Sequence, residues 1–220
     1  AMGDELYDED VVDPTTRGVR LPKQPWRGEP QHLMAHEAKE LIVGLVGFEF
    51  EAAALCGIWL GLRRSEQCGL KWEDIDLRSG LTHIRRGLQV VGREVVVTDV
   101  KTHRSARPHM VPRMARGRLR EIKSEMRAKP GDWLLGDDPN PDRYARRLKA
   151  WCKRRGLPHV APKYFRHTFR TLHAAAGTKD DEVQKMLGHE SKQMSYRYMA
   201  LDEDVLRDDQ SALEHYIVKS

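Results

Sequence analysis

Cysteine is scarce in this chain: Cys56, Cys68 and Cys152 are the only three in 220 residues. None stands two residues from another, so neither a Cys-x-x-Cys zinc knuckle nor a disulfide framework has material to form. Such cysteines are expected to be buried, reduced, small hydrophobes, and a reducing cytoplasm suits them. Long apolar runs are missing too. The longest, Ala52 to Leu62, falls short of the roughly 20 residues a membrane helix needs and is expected as a buried helix. The first ten residues are acidic and hold no Lys or Arg, unlike the basic-then-apolar start of a secretory signal. The opening Ala1-Met2 reads as a cleavage scar or an internal boundary. No internal repeat and no low-complexity tract is found.

Hydrophobic residues make up 40%, enough for one sizeable domain with a real core. The net charge of +5 is a modest pointer toward nucleic acid. Its distribution says more, because Lys and Arg outnumber Asp and Glu from Lys101 to Arg155. The stretch Lys101-Thr-His-Arg-Ser-Ala-Arg-Pro-His109 is basic and polar, as a phosphate-tracking loop would be. On composition alone, a solvated basic loop is the better description.

Residues 1–30 read as a tail or interdomain linker, first acidic and then rich in Pro and Arg. Residues 31–220 read as one domain, mainly α within an α+β class. Helices are expected over 36–46, 50–60, 65–70, 113–127, 144–155, 164–176, 180–187, 192–199 and 203–215, with 132–141 as a loop. Strands are expected over 81–85, 89–100 and 107–112, forming a small three-stranded antiparallel sheet at one edge. The last stretch, about 203–220, reads as a detachable C-terminal segment whose apolar set is Ala212, Leu213, Tyr216, Ile217 and Val218.

Five local patterns then occur in one order. They are Gly61-Leu-Arg-Arg-Ser-Glu66 (followed by Gly69-Leu-Lys-Trp-Glu-Asp-Ile-Asp76), Lys101-Thr102 between two strands, Lys163-Tyr-Phe-Arg-His-Thr-Phe169, Leu187-Gly-His189, and Tyr198 nine positions after that His. In this ordered set the chain resembles the catalytic domain of phage integrases and related tyrosine recombinases. The resemblance covers roughly residues 30–205. It implies site-specific DNA cleavage and rejoining through a 3′-phosphotyrosine, for integration or excision of a phage or other mobile element.

The resemblance assigns catalytic roles to Arg63, Lys101, Lys163, Arg166, His189 and Tyr198. Attack on a phosphodiester adds negative charge to the non-bridging oxygens, and guanidinium groups neutralise it bidentately at any relevant pH. Arg63 and Arg166 match that requirement, with Glu66 orienting Arg63 one helical turn away. Lys101 matches the general acid for the departing 5′ oxygen. His189 donates to the phosphate or positions the nucleophile. Tyr198 is the nucleophile, and Tyr196 is the rival position. The family usually has His where this chain has Lys163, and a protonated Lys is a phosphate ligand but a poor base. His167 reads as a supporting or packing residue and His173 as core or surface. No cofactor and no metal are implied, since fixed cations can supply the charge.

The implied partners are double-stranded DNA attachment sites, and sister chains in a homotetramer on DNA. A core-binding domain preceding residue 1 is also implied. The isolated domain is expected as a cytoplasmic monomer that touches no membrane and binds DNA weakly. The C-terminal segment is expected either to fold back in cis or to pass to a neighbour. Three other readings remain open here: a type IB topoisomerase, a DNA-binding module without catalysis, and an RNA-binding or generic basic helical protein.

Overall fold

Helix α2 (Glu51–Leu60) is the centre of the molecule because its sequence has no polar face. Every one of its residues is buried, so neighbours must surround it on all sides. The computed structural model of the chain describes residues 31–99, 108–187 and 203–220. Around α2 lie α1 (Ala35–Gly44), α3 (Arg64–Gly69), α4 (Arg113–Glu125), α5 (Pro141–Arg155), α6 (Phe165–Ala175), α7 (Asp180–Leu187) and α8 (Glu203–Lys219). The side chains of Trp59, Trp72, Tyr144, Phe165 and Phe169 are fully buried and form the bulk of the core. The N-terminus of α2 carries a buried carboxylate, Glu51. The Arg118 guanidinium of α4 grips it with two hydrogen bonds of 2.6 and 2.9 Å, and the Gly47 amide donates to it at 3.0 Å. The excess charge is thus neutralised locally.

Helix α5 starts three residues earlier than expected. Asn140 accepts from the amides of Asp142 and Arg143, and Pro141 occupies the first helical position, where its missing N–H costs nothing.

The strands are β1 (Leu81–His83), β2 (Arg86–Val91), β3 (Glu94–Asp99) and β4 (Pro108–Met110). The expected single three-stranded sheet is replaced, among the described residues, by two antiparallel two-stranded ribbons, β1–β4 and β2–β3. Two local causes account for this. The run 89–100 is not one strand, because Gly92 adopts φ +64 and turns the chain into a hairpin pairing Leu88 with Val97. Between β1 and β2, Ile84 is wholly buried in the core, and pairing changes partner across it.

Helix α8 runs past His215 to Lys219 and packs in cis on its own domain. Leu206, Leu213 and Ile217 are buried there. The Gln210 amide donates to Trp59 O at 3.3 Å, Lys39 Nζ to Val218 O at 2.6 Å, and the Met114 amide to the Glu214 carboxylate at 2.7 Å. Removing 203–220 would expose that apolar stripe, so its loss bears on folding. The tail 1–30, the basic loop 101–107 and the expected helix 192–199 lie outside the described residues. No helix among the described residues is long and apolar enough to cross a membrane.

Candidate active site

The turn that carries Arg63 is built by the end of α2. Gly61 takes φ +59, the left-handed conformation that closes a helix and that side chains resist. A Cβ there would also lie 2.7 Å from the Phe169 ring and 2.8 Å from Leu187. Glycine therefore lets the chain turn hard against α6 and α7. Two residues on, Arg63 stands at the N-cap of α3. Glu66 binds it twice: one carboxylate oxygen accepts from the Arg63 amide at 2.8 Å, the other from its guanidinium at 2.8 Å. Glu66 is buried, while the Arg63 side chain stays 47% exposed. The carboxylate therefore ties both the main chain and the guanidinium of Arg63 to the start of α3, while much of the arginine side chain stays exposed.

Arg166 lies in the first turn of α6, whose other face buries Phe165, Thr168, Phe169 and Leu172. Its guanidinium spans two main chains. One nitrogen donates to Gly61 O at 3.2 Å and another to Leu187 O. The first carbonyl belongs to the Arg63 turn. The second belongs to the last residue of α7, immediately before Gly188-His189. A planar fork can serve two such acceptors at once, which a lysine cannot.

Lys163 sits on a short 3-10 turn, Pro162–Tyr164, that leads into α6. It is exposed, with Nζ 4.7 Å from the centre of the Tyr164 ring. Arg63, Lys163 and Arg166 thus share one neighbourhood, where the end of α2, the start of α3 and the start of α6 meet. Lys101, His189 and Tyr198, with the rival Tyr196, lie outside the described residues.

His167 is exposed beside Arg166, its ring 5.9 Å from that of Tyr164. Desolvation, then the Arg166, Arg170 and His32 charges, hold its pKa below the ordinary histidine value, so it is neutral near pH 7. His173 is a core residue. Its Nδ1 lies 3.0 Å from the Thr178 hydroxyl, and burial pushes its pKa down to about 3.

Sequence reasoning missed Gln67 and Tyr144. Gln67 is fully buried under the Arg63 turn, with Tyr144 behind it. Nothing local marks it, since it stands in the largely polar helix α3, and its partners Tyr144 and Pro162 are far away in sequence. The basic helices also differ from their sequence appearance. On α4, Arg118 is bound to Glu51, Glu121 and Glu125, while Arg116 and Arg120 donate to the carbonyls of Arg78 and Leu77. Much of that positive charge is engaged within the fold. Among the described residues no group of three or more His, Cys, Asp or Glu is placed to hold a metal ion.

Known proteins share this architecture. The integrase of the transposon Tn1549, solved with circular intermediate DNA, superposes with a TM-score of 0.63 at 22% identity, over 87% of this chain and 68% of that one. The integrase of mycobacterium phage Brujita does so at 0.63 and 18% identity, over 94% of this chain and 68% of that one. In sequence, the integrase of Mycobacterium phage D29 is 29% identical over 78% of this chain and 49% of its own length. The tyrosine recombinase XerC of Xanthomonas campestris is 30% identical over 84% of this chain and 55% of its own. The chain therefore spans about half the length of the curated relatives it matches. The pattern that defines the phage integrase family matches residues 51–204, from the central helix through both arginine turns to the far side of Tyr198. This chain belongs to the phage integrase family.

Proposed function

We propose that this chain is the catalytic domain of a tyrosine site-specific recombinase that cuts and rejoins double-stranded DNA through a 3′-phosphotyrosine at Tyr198. The observation that carries the reading is the double grip of Arg166 on Gly61 O and Leu187 O. That grip ties the Arg63 turn to the end of α7, which Gly188-His189 follow in sequence, and so supports a site that gathers residues from separate stretches of the chain.

The chemistry then balances without an energy source. The Tyr198 phenol oxygen attacks phosphorus and gives up its proton to solvent water, while the bond to the 5′ oxygen of the next deoxyribose breaks. Lys101 gives that oxygen a proton. Arg63 and Arg166 hold the extra charge on the non-bridging oxygens, with His189 as a further donor. Lys163 adds a fixed positive charge as a phosphate ligand, since an exposed protonated amine is a poor base. The phosphotyrosine retains the bond energy, and attack by a 5′ hydroxyl of another strand reverses the steps.

The reading includes partners. Recombination of two duplexes calls for a tetramer of chains on DNA, with a preceding core-binding domain completing the grip on each duplex. Tn1549 integrase, a structural neighbour, was solved with circular intermediate DNA. The setting is the cytoplasm, where a bacterial or phage chromosome is reached.

The test is incubation with a nicked duplex carrying the junction sequence of the element that encodes the chain, followed by a denaturing gel. A covalent protein–DNA adduct is expected, lost in Tyr198→Phe while non-covalent DNA binding stays nearly intact. An adduct that survives Tyr198→Phe but vanishes in Tyr196→Phe would move the nucleophile. No adduct under any condition would sink the reading.

A further inference from the structure

Gln67 lies in the middle of α3 and is 0% exposed. A buried amide is costly unless its hydrogen-bonding groups are met, and here they are. The amide nitrogen donates to Leu62 O at 2.8 Å and to Pro162 O at 3.0 Å. The amide oxygen accepts from the Tyr144 hydroxyl at 3.1 Å. Only the NH2 end can serve two carbonyls, and only the oxygen can receive the hydroxyl proton, so the orientation is set by the partners. The Gln67 backbone amide adds a bond to Arg63 O at 2.9 Å.

Each of the two carbonyls belongs to the residue just before a site cation. Leu62 directly precedes Arg63, and Pro162 directly precedes Lys163. One side chain therefore clamps the two turns that carry two of the site cations. Space for it is reserved on α2. A Cβ on Gly57 would fall 2.7 Å from the Gln67 side chain. Tyr144 backs the amide from α5, and burial keeps its hydroxyl protonated by pushing its pKa well above the ordinary tyrosine value.

We propose that Gln67 is a positioning residue, which, oriented by Tyr144, holds the Arg63 and Lys163 turns in one fixed relation so that both cations meet the same phosphate. The proposal rests on the recombinase reading above. Its physical basis is that charge stabilisation depends on pre-set geometry, and a displacement of about 1 Å costs on the order of 10²-fold in rate.

The experiment uses two variants of the whole chain. Gln67→Met keeps length and bulk but removes the donors. Tyr144→Phe removes only the hydroxyl that orients the amide and keeps the ring packed, so it serves if Gln67→Met does not fold. Adduct formation is followed under single-turnover conditions at saturating nicked junction duplex, beside non-covalent affinity for the same duplex. Gln67→Met is expected to slow the adduct step by about 30- to 100-fold and Tyr144→Phe by about 3- to 10-fold, with affinity changed less than about threefold.

Combination with Lys163→Ala separates positioning from general loosening. Lys163→Ala should slow the wild-type chain strongly yet add little in the Gln67→Met background. Fully multiplicative effects would overturn the proposal. Amide hydrogen exchange gives a readout independent of recombination. Peptides spanning 61–66 and 161–165 should exchange faster together in both variants, while α4 is unchanged. Loosening of one turn alone, or of neither, also overturns it. If the wild-type chain forms no adduct, the recombinase reading fails, and the exchange data still decide whether Gln67 couples the turns.

Discussion

The junction of α2, α3 and α6 and the β2–β3 hairpin are built on opposite plans. At the junction three successive main-chain acceptors are each bonded within the fold: Gly61 O takes Arg166, Leu62 O takes Gln67, and Arg63 O takes the Gln67 amide. The hairpin is tied to the core along the base of β2, where Leu88 is buried and Arg86 pairs with Asp74, and beyond that base it leaves Val91 62% and Val97 53% exposed. Two of the expected site residues, Arg63 and Arg166, sit on the tightly bonded part. Lys101 comes in sequence just after the hairpin, two residues beyond β3. The contrast teaches that the two arginines expected to face the phosphate are anchored in the core, whereas the chain toward Lys101, the expected proton donor, leaves from a strand that is largely exposed.

Arg166 offers the strongest way to break this contrast. Arg166→Ala should slow adduct formation by about 10²–10³-fold, since it removes both a phosphate donor and the bridge between two main chains. Arg166→Lys restores the charge but reaches only one carbonyl, and should recover a minor part of the rate. Wild-type rates in Arg166→Lys would show that the bridge is irrelevant.

A matched glycine pair sharpens it. Gly61 and Gly92 share nearly the same backbone, φ +59 and +64, but a Cβ at Gly92 meets nothing within 4 Å. Gly92→Ala should therefore cost about 1 kcal/mol, the left-handed penalty alone. Gly61→Ala should cost about 2–4 kcal/mol, because contact with Phe169 and Leu187 is added. Denaturant unfolding of the two variants measures the difference, and equal losses would contradict the packing account.

Acid provides a third, weaker lever on the buried part. The His173 pKa of about 3 in the fold lies below its ordinary 6.5. The unfolded chain therefore binds a proton that the folded chain refuses. This contribution to stability is complete above pH 6.5 and is lost as pH falls toward 3, at about 1.4 kcal/mol per pH unit. His173→Gln should flatten that part of the pH–stability curve, and an unchanged slope would dismiss the assignment. The smallest effect belongs to the hairpin, where Val97→Thr should change stability by no more than about 0.5 kcal/mol, measured by thermal melting.

The outline of this fold was legible where its causes are local. An unbroken apolar run followed by Gly61 announced a central helix and its end. The alternation of charged and apolar residues placed α4 through α7 within a few residues. The start of α5 was also written locally, in Asn140-Pro141, but the polar stretch before it read as loop. What could not be read depends on distant partners. The valine run gives no sign that it forms one arm of a ribbon, nor that β4 pairs with β1. The charges of α4 looked free, yet Arg118 is held by Glu51, 67 positions away. Gln67 meets Tyr144 and Pro162 at separations of 77 and 95. The motif residues Arg63, Lys163 and Arg166 were found by their order along the chain, but the clamp that relates their turns has no motif of its own.

The three cysteines have a practical consequence. Burial raises the thiols of Cys56 and Cys68 to about 12 and that of Cys152 to about 11. Near pH 7.5 fewer than about one in a thousand is a thiolate, the form that reacts with maleimides. A single cysteine introduced at Val43, which is 68% exposed on α1, would then take a dye alone. A second at Val218 on α8 would complete a donor–acceptor pair on the native background. With such a pair, the departure of the C-terminal helix from its own domain becomes a distance change that can be watched one molecule at a time, with every natural residue of the core left in place.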